Sequence, residues 1–337
     1  LLYDHDEERF NVNKYIKMCA PALLVLSLAA CNTDKSAEST AVKNEAATSS
    51  VETQTEQATT QNITYLGETY ELPAKVKNIV AASLESMEDA VMLGIKPVGV
   101  LEIGGKIPSY LTKELEGAQL VGNKMEPNAE AILALDPDVI IGTSKFPEET
   151  AEKLNKIQTM IPYSHISTNW KENLTLLAQL TGKEEDAKKI IADYEGKVAD
   201  AQVKSKEQLA DKQVLIVRLR GGVMYIYPAG VYLNPVLYED LGAPVPNVLS
   251  TTKAQAELSL ETLADINPDA IFLQFEESEN TDAPKALEEL QKNPIFASLK
   301  ATKNEQIFVN AIEPLAQGGT AWSKVKFLDA AMEKLLK

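Results

Sequence analysis

Four cationic side chains each follow an apolar segment that reads as a β-strand. Lys124 comes just after Gln119-Leu-Val-Gly122, and Lys145 just after the segment from Asp138 to Gly142. Arg218 and Arg220 close Val214-Leu-Ile-Val-Arg-Leu-Arg220, and Gln274 lies near the end of the segment 270–275. In open parallel sheets, ligands collect beyond the carboxyl ends of the strands. A spacing of two residues puts both arginines on one face of a strand. The chain as a whole is strongly acidic, with 33 Lys and Arg against 49 Asp and Glu and a formal charge of −16. Cations gathered at one mouth of such a protein focus field and concentrate ligands of opposite sign. Their ammonium and guanidinium groups donate charge-assisted hydrogen bonds to anionic oxygens. The chemistry implied is recognition of a compact polyanion. Taken singly, Lys124 and Lys145 also suit solvated loop charges. The arginines continue an apolar strand and need a partner, either an internal acid or the ligand.

Catalytic and metal chemistry is poorly supplied. The histidines are His5 and His165, and the cysteines Cys19 and Cys31. A direct His/Asp/Glu metal site is therefore not expected. A Ser-His-Asp triad would depend on His165, which reads as a packed or surface residue. There is no P-loop and no dinucleotide fingerprint, and Gly221-Gly222 reads as the turn of a hairpin. The chain is not expected to be an enzyme. A surface enzyme using Lys145 or a cleft tyrosine as acid or base remains an alternative, without a visible nucleophile–base pair. Tyr225, Tyr227, Tyr232, Trp170 and Trp322 read as core or strand-surface aromatics, of which one or two could wall a cleft. The acidic balance argues against nucleic acid as a partner.

The elements that must position these residues appear twice. Glu130-Ala-Ile-Leu-Ala-Leu-Asp-Pro137-Asp138-Val-Ile-Ile is answered, 131 residues later, by Glu261-Thr-Leu-Ala-Asp-Ile-Asn-Pro268-Asp269-Ala-Ile-Phe. In each copy a glutamate opens a short apolar-periodic helix, Pro-Asp ends it, and an apolar strand follows. One copy in each half implies two similar lobes with a cleft between them. Ala187, Ile190, Ile191, Tyr194 and Val198 share one helical stripe and predict a long, stiff connection with limited hinge motion. The fold class is α/β, two lobes with mostly parallel sheets joined by one long interlobe helix. The expected boundaries are 63–182 for the N-terminal lobe, 183–212 for the interlobe helix and 213–337 for the C-terminal lobe.

Residues 1–30 read as a signal peptide, with 1–13 a possible over-extended start. Lys14 and Lys17 precede an apolar run from Met18 to Ala30 that is too short to span a bilayer as a mature helix. Leu28-Ala29-Ala30-Cys31 resembles the bacterial lipobox, which makes Cys31 the lipidated residue. Residues 31–62 are the lipid anchor and a Ser/Thr/Ala/Glu/Gln-rich disordered tether. The expected location is the extracellular face of the cell membrane, held by the lipid.

Gly122-Asn-Lys-Met-Glu126-Pro127-Asn128-Ala-Glu130 and Leu135-Asp-Pro137-Asp138-Val-Ile-Ile resemble the signature of the siderophore- and cobalamin-type substrate-binding proteins of ABC importers. The resemblance runs from about Ile63 to the C-terminus. It extends to Thr143-Ser-Lys145-Phe-Pro-Glu148, Ser167-Thr-Asn-Trp-Lys-Glu172, Tyr225-Ile-Tyr-Pro228 and Leu315-Ala-Gln-Gly-Gly-Thr-Ala-Trp-Ser323. It implies a class III periplasmic-binding-protein-like fold and capture of a ferric tris-catecholate siderophore of bacillibactin or enterobactin type. By this resemblance Lys124, Lys145 and Arg220 contact the catecholate oxygens, with Arg218 and Gln255 beside them. Glu130 and Glu261 dock onto arginines of an ABC permease, one per lobe. The siderophore supplies every iron ligand, so no cofactor is implied. The partners are the siderophore, the permease and the membrane through the anchor, and the chain acts as a monomer. A hydroxamate or a mixed catecholate-carboxylate siderophore is the alternative ligand, and a sensor or adhesion module the alternative role.

Overall fold

The computed structural model describes residues 59–336. The signal peptide, Cys31 and most of the expected tether lie outside the described residues. A hairpin of β1 (Thr60–Tyr65) and β2 (Glu68–Pro73) opens this body. Regular structure therefore begins inside the stretch assigned to the tether. Ile63, Tyr65 and Leu72 explain why, because all three are buried and need a packed partner. Tyr65 lies parallel to Tyr163, and its hydroxyl donates to Asn173 Oδ1 at 2.5 Å.

The first lobe alternates strand and helix. Its strands are β3 (Ile79–Ala82), β4 (Gly99–Glu102), β5 (Gln119–Asn123), β6 (Val139–Thr143) and β7 (Met160–Tyr163). They form one parallel sheet in the order β5-β4-β3-β6-β7. Its helices are α1 (Leu84–Met92), α2 (Ala129–Ala134), α3 (Glu148–Asn155) and α4 (Trp170–Thr181). Strand order reverses direction between β3 and β6, and the crevice beyond their carboxyl ends is where such a sheet binds ligands. The apolar runs Ile79–Ala82 and Val139–Thr143 are buried throughout, as expected of a sheet covered on both faces.

The helix α5 (Glu184–Gln208) leads to the second lobe. Ala187, Tyr194 and Ala201 recur every seven residues and are buried on one face, while Ile190, Ile191 and Val198 pack beside them. The second sheet contains β8 (Val214–Arg220), β9 (Val223–Ile226), β10 (Ala256–Glu257), β11 (Ala270–Phe275) and β12 (Ile307–Val309), in the order β10-β9-β8-β11-β12. Here β8, β11 and β12 are parallel, while β9 and β10 are antiparallel. Gly221 and Gly222, both at positive φ (55° and 77°), make the β8–β9 turn predicted for them. The remaining helices are α6 (Asn247–Thr251), α7 (Leu260–Ile266), α8 (Ala286–Lys292), α9 (Pro294–Ser298), α10 (Lys300–Lys303) and α11 (Ala321–Leu335).

The sequence repeat is a structural repeat. Asn128 and Ser259 cap α2 and α7 through their side-chain oxygens. Asp136 and Asn267 then turn left-handed, at φ 46° and 45°. Asp138 Oδ2 accepts from the Asn78 amide at 2.8 Å, and Asp269 Oδ2 from the Gln213 amide at 2.9 Å. In each lobe the Pro-Asp aspartate thus fixes where the neighbouring central strand starts.

The C-terminal helix α11 contacts both lobes. Phe327 meets Phe272 of β11 edge-on, and Lys324 pairs with Asp240 at 2.9 Å. Its N-terminus instead docks on α1 of the first lobe. Glu88 and Asp89 of α1 are fully buried. Glu88 accepts from Gln317 N (3.0 Å), Thr320 Oγ1 (2.5 Å), Ser323 Oγ (2.6 Å) and Tyr110 Oη (2.6 Å). Asp89 accepts from Ala321 N (2.8 Å) and Tyr163 Oη (2.9 Å). Carboxylates at a helix N-terminus satisfy its free amides and suit its dipole. One apolar core cluster contains buried residues of both lobes. Both α5 and α11 run between the lobes and pack on this shared core.

Candidate functional site

The carboxyl ends of the central strands open into a cleft of about 570 Å³. Lys124, Lys145, Arg218, Arg220 and Gln255 all line it. Gln274 does not, because it is buried and its amide points to the carbonyls of Ile312 and Glu313.

Each cation is presented by a specific piece of backbone. Lys124 sits on a short loop after β5. Gly122, at φ 92°, bridges to Pro127, and a Cβ there would stand 2.6 Å from the Glu126 carbonyl oxygen. Asn123 Oδ1 accepts from the amides of Met125 and Glu126, closing the loop. Lys145 follows β6 in a turn in which its amide bonds Thr143 Oγ1 (3.3 Å). Arg218 and Arg220 point the same way from β8, as their spacing requires.

The arginines have an internal partner as well as the cleft. Glu279 Oε2 accepts from Arg218 Nε (3.0 Å) and Nη2 (2.7 Å), and Glu279 Oε1 from Arg220 Nη2 (3.0 Å). Lys124, from the other lobe, stands 3.7 Å from Glu279 Oε1. Lys145 pairs with Glu85 at 3.2 Å. Burial lowers the Lys124 pKa; Glu279 opposes this, while Arg220, Arg218 and Lys145 push it further down. Lys124 therefore feels the other three cations across the cleft.

Sequence reasoning passed over several cleft residues. Glu85 follows β3 and Glu279 follows β11, so the strand-end rule reaches both when acids are collected along with cations. Lys253 is a further cation on the wall. His165, expected to be packed or on the surface, lies half-buried in the cleft wall, with Nδ1 2.8 Å from Ser144 Oγ. Burial, and then Lys145, lower its pKa from the ordinary 6.5. Of the aromatic set, Tyr227 and Tyr232 line the cleft with ring centroids 5.0 Å apart. Trp170 packs on Tyr194 and Trp322 on Tyr110, away from it. The cleft floor includes Gln317, part of the Gln-Gly-Gly-Thr strap that leads into α11. The strap needs glycine at 318, where φ is 78° and a Cβ would fall 2.4 Å from the Tyr232 carbonyl carbon.

Glu130 and Glu261 lie outside the cleft. Both are exposed, in the first turns of α2 and α7.

The chain is similar to known proteins. A family model described as periplasmic binding protein matches residues 79–310. The iron-uptake system-binding protein of Bacillus subtilis (strain 168) is 49% identical over 314 residues, covering 93% of this chain and 96% of that one. A probable siderophore-binding lipoprotein of the same organism, YfiY, is 31% identical over 304 residues, covering 87% and 89%. The crystal structure of the triscatecholate siderophore binding protein FeuA from Bacillus subtilis, complexed with ferri-bacillibactin, superposes with a TM-score of 0.79. It is 51% identical and covers 82% of this chain and 98% of that one. Two lobes around a ligand cleft, a family model over most of the folded body and relatives of this identity lead to one conclusion: the chain belongs to the periplasmic binding protein family.

Proposed function

We propose that this chain captures a ferric tris-catecholate siderophore of bacillibactin type in the interlobe cleft and delivers it to an ABC importer for iron uptake. The observation that carries this reading is the charge of the cleft. Its lining holds five cationic side chains, Lys124, Lys145, Arg218, Arg220 and Lys253, against the carboxylates Glu85 and Glu279. The net of three positive charges matches a ferric tris-catecholate, which spreads three negative charges over six oxygens. The iron arrives fully coordinated by its siderophore, so the protein needs hydrogen-bond donors and not metal ligands. Lys124, Lys145 and Arg220 are the donors to the catecholate oxygens, with Arg218 and Gln255 beside them. Tyr227 and Tyr232 offer apolar faces to catechol rings, and cations also lie well over such rings. A neutral hydroxamate complex gains far less from this cleft.

Delivery uses Glu130 and Glu261, which occupy equivalent positions in the two halves and face solvent. Each docks on a basic side chain of the permease. An anchor at Cys31 holds the chain on the extracellular face of the membrane, in keeping with the lipoprotein among its relatives. Uptake of radio-iron supplied as ferri-bacillibactin, in cells with and without this chain, tests the reading. Uptake is expected only in its presence; equal uptake without it contradicts the reading.

A further inference from the structure

Glu279 places a negative charge in a cleft otherwise suited to anions, and the fold positions it with care. Residues Glu277–Glu279 form one 3₁₀ turn beyond β11. The next residue, Asn280, is fully buried. Its Nδ2 donates to the carbonyls of Leu219 (3.0 Å) and Glu276 (2.8 Å), and its Oδ1 accepts from Gly222 N (3.1 Å). The Gly221 amide donates to the Glu279 carbonyl at 2.9 Å. The turn is thus stitched to the β8–β9 hairpin, which carries both arginines.

The carboxylate contacts its three cations unequally. Arg218 is a buried, doubly bonded partner with 10% of its side chain exposed. Arg220 is bonded once and is 35% exposed. Lys124 is 42% exposed and, at 3.7 Å, beyond hydrogen-bond reach. Two long side chains are ordered before any ligand arrives, and the third is loosely held. Ordering such side chains on binding normally weakens affinity.

We infer that Glu279 is a positioning residue for the anion: it holds Arg218 and Arg220 in their binding arrangement in the empty cleft and releases Lys124 to the ligand. The inference rests on the proposed function. On entry of the trianion, the ammonium of Lys124 leaves the second lobe's carboxylate for a ligand oxygen. The direct pair between the lobes becomes a bridge through the ligand, while the arginines keep Glu279.

The test is calorimetric titration of the folded chain with ferri-bacillibactin, comparing wild type with Glu279→Asp and Glu279→Gln. Aspartate keeps the charge but draws the carboxylate back by one methylene, too short to serve both guanidiniums. Glutamine keeps the length and loses the charge. Both variants are expected to bind about tenfold more weakly, the cost of ordering side chains that were previously held. Wild-type affinity in Glu279→Asp, with tighter binding in Glu279→Gln, overturns the inference and makes the residue a charge adjuster. Lowered Tm with wild-type affinity in both variants also overturns it, because the role is then only structural. Should Glu279→Gln fail to fold, Glu279→Asp decides by itself. Failure of the wild type to bind overturns the proposed function, and this inference with it. Binding by the wild type with both variants unchanged overturns the inference alone.

Discussion

Arg218 and Arg220, two residues apart on β8, close on opposite oxygens of the Glu279 carboxylate, at 2.7 and 3.0 Å. Their burial differs, and so should their variants. Arg218→Ala strips a buried carboxylate of its doubly bonded partner and is expected to cost about 3 kcal/mol of stability. Arg220→Ala removes a partly exposed group and is expected to weaken ligand binding with little change in Tm. Thermal melts and titrations of the two variants check this. A larger loss of stability in Arg220→Ala would contradict the division of roles.

The joint between α1 and α11 should make stability depend on pH. Burial pushes Glu88 from the ordinary 4.5 up to about 7, against the opposing hydrogen bonds from Ser323, Thr320, Tyr110 and the Gln317 amide. Burial raises Asp89 in the same direction. Between pH 4.5 and 7 the folded state then holds a proton that the unfolded state has released. The stability contributed by Glu88 is fully present below about pH 4.5 and is lost as pH rises through about 7. Melts of wild type and Glu88→Gln across this range should converge or cross, with the wild type losing ground as pH rises. A constant difference would show that Glu88 does not titrate there.

The docking role proposed for Glu130 and Glu261 predicts that capture and delivery can be separated. Both are exposed, so the double change to Ala should alter stability by less than about 1 kcal/mol per site, the scale of a helix-dipole contact. Ferri-bacillibactin affinity should be unchanged while iron uptake by cells is lost. Normal uptake by the double variant would remove both residues from the permease contact.

Changing Lys124, Lys145 and Arg220 together to Ala should abolish tight binding. Each charge-assisted hydrogen bond contributes about 1.5–3 kcal/mol, so losing three predicts a fall of about a thousandfold or more. Wild-type affinity should also drop with rising salt, because part of the attraction is long-range, and the triple variant should show a flatter dependence. Unchanged affinity in a folded triple variant would remove these residues from the site.

Much of this architecture is written locally in the chain. Val214–Arg220 and Ala270–Phe275 are predicted and observed with the same bounds, since apolar strands covered on both faces leave an unbroken signal. The paired Glu-helix-Pro-Asp segments mark the two halves because each performs the same task in its own sheet. The β1–β2 hairpin was missed, as its polar outer face hides behind a low-complexity flank. The packing of α11 is not legible locally, because its N-terminus is held by Glu88 and Asp89, more than two hundred residues earlier in the sequence. Within the cleft, the strand-end rule found the cations through their rarity in apolar strands. Glu279 was hidden in the acidic run Glu276-Glu277-Ser278-Glu279, where nothing local tells this largely buried carboxylate from the two before it.

The central claim is that this cleft selects a trianionic ferric catecholate by charge. Trp170 and Trp322 both lie away from the cleft, so calorimetry is more direct than tryptophan emission. The decisive measurement is a titration of residues 32–337 with ferri-bacillibactin and, separately, with ferrichrome as a neutral hydroxamate complex. Tight, salt-sensitive binding of the first and none of the second is the expected result. Equal or preferential binding of ferrichrome would contradict the account and, with it, the roles given to Lys124, Lys145 and Arg220.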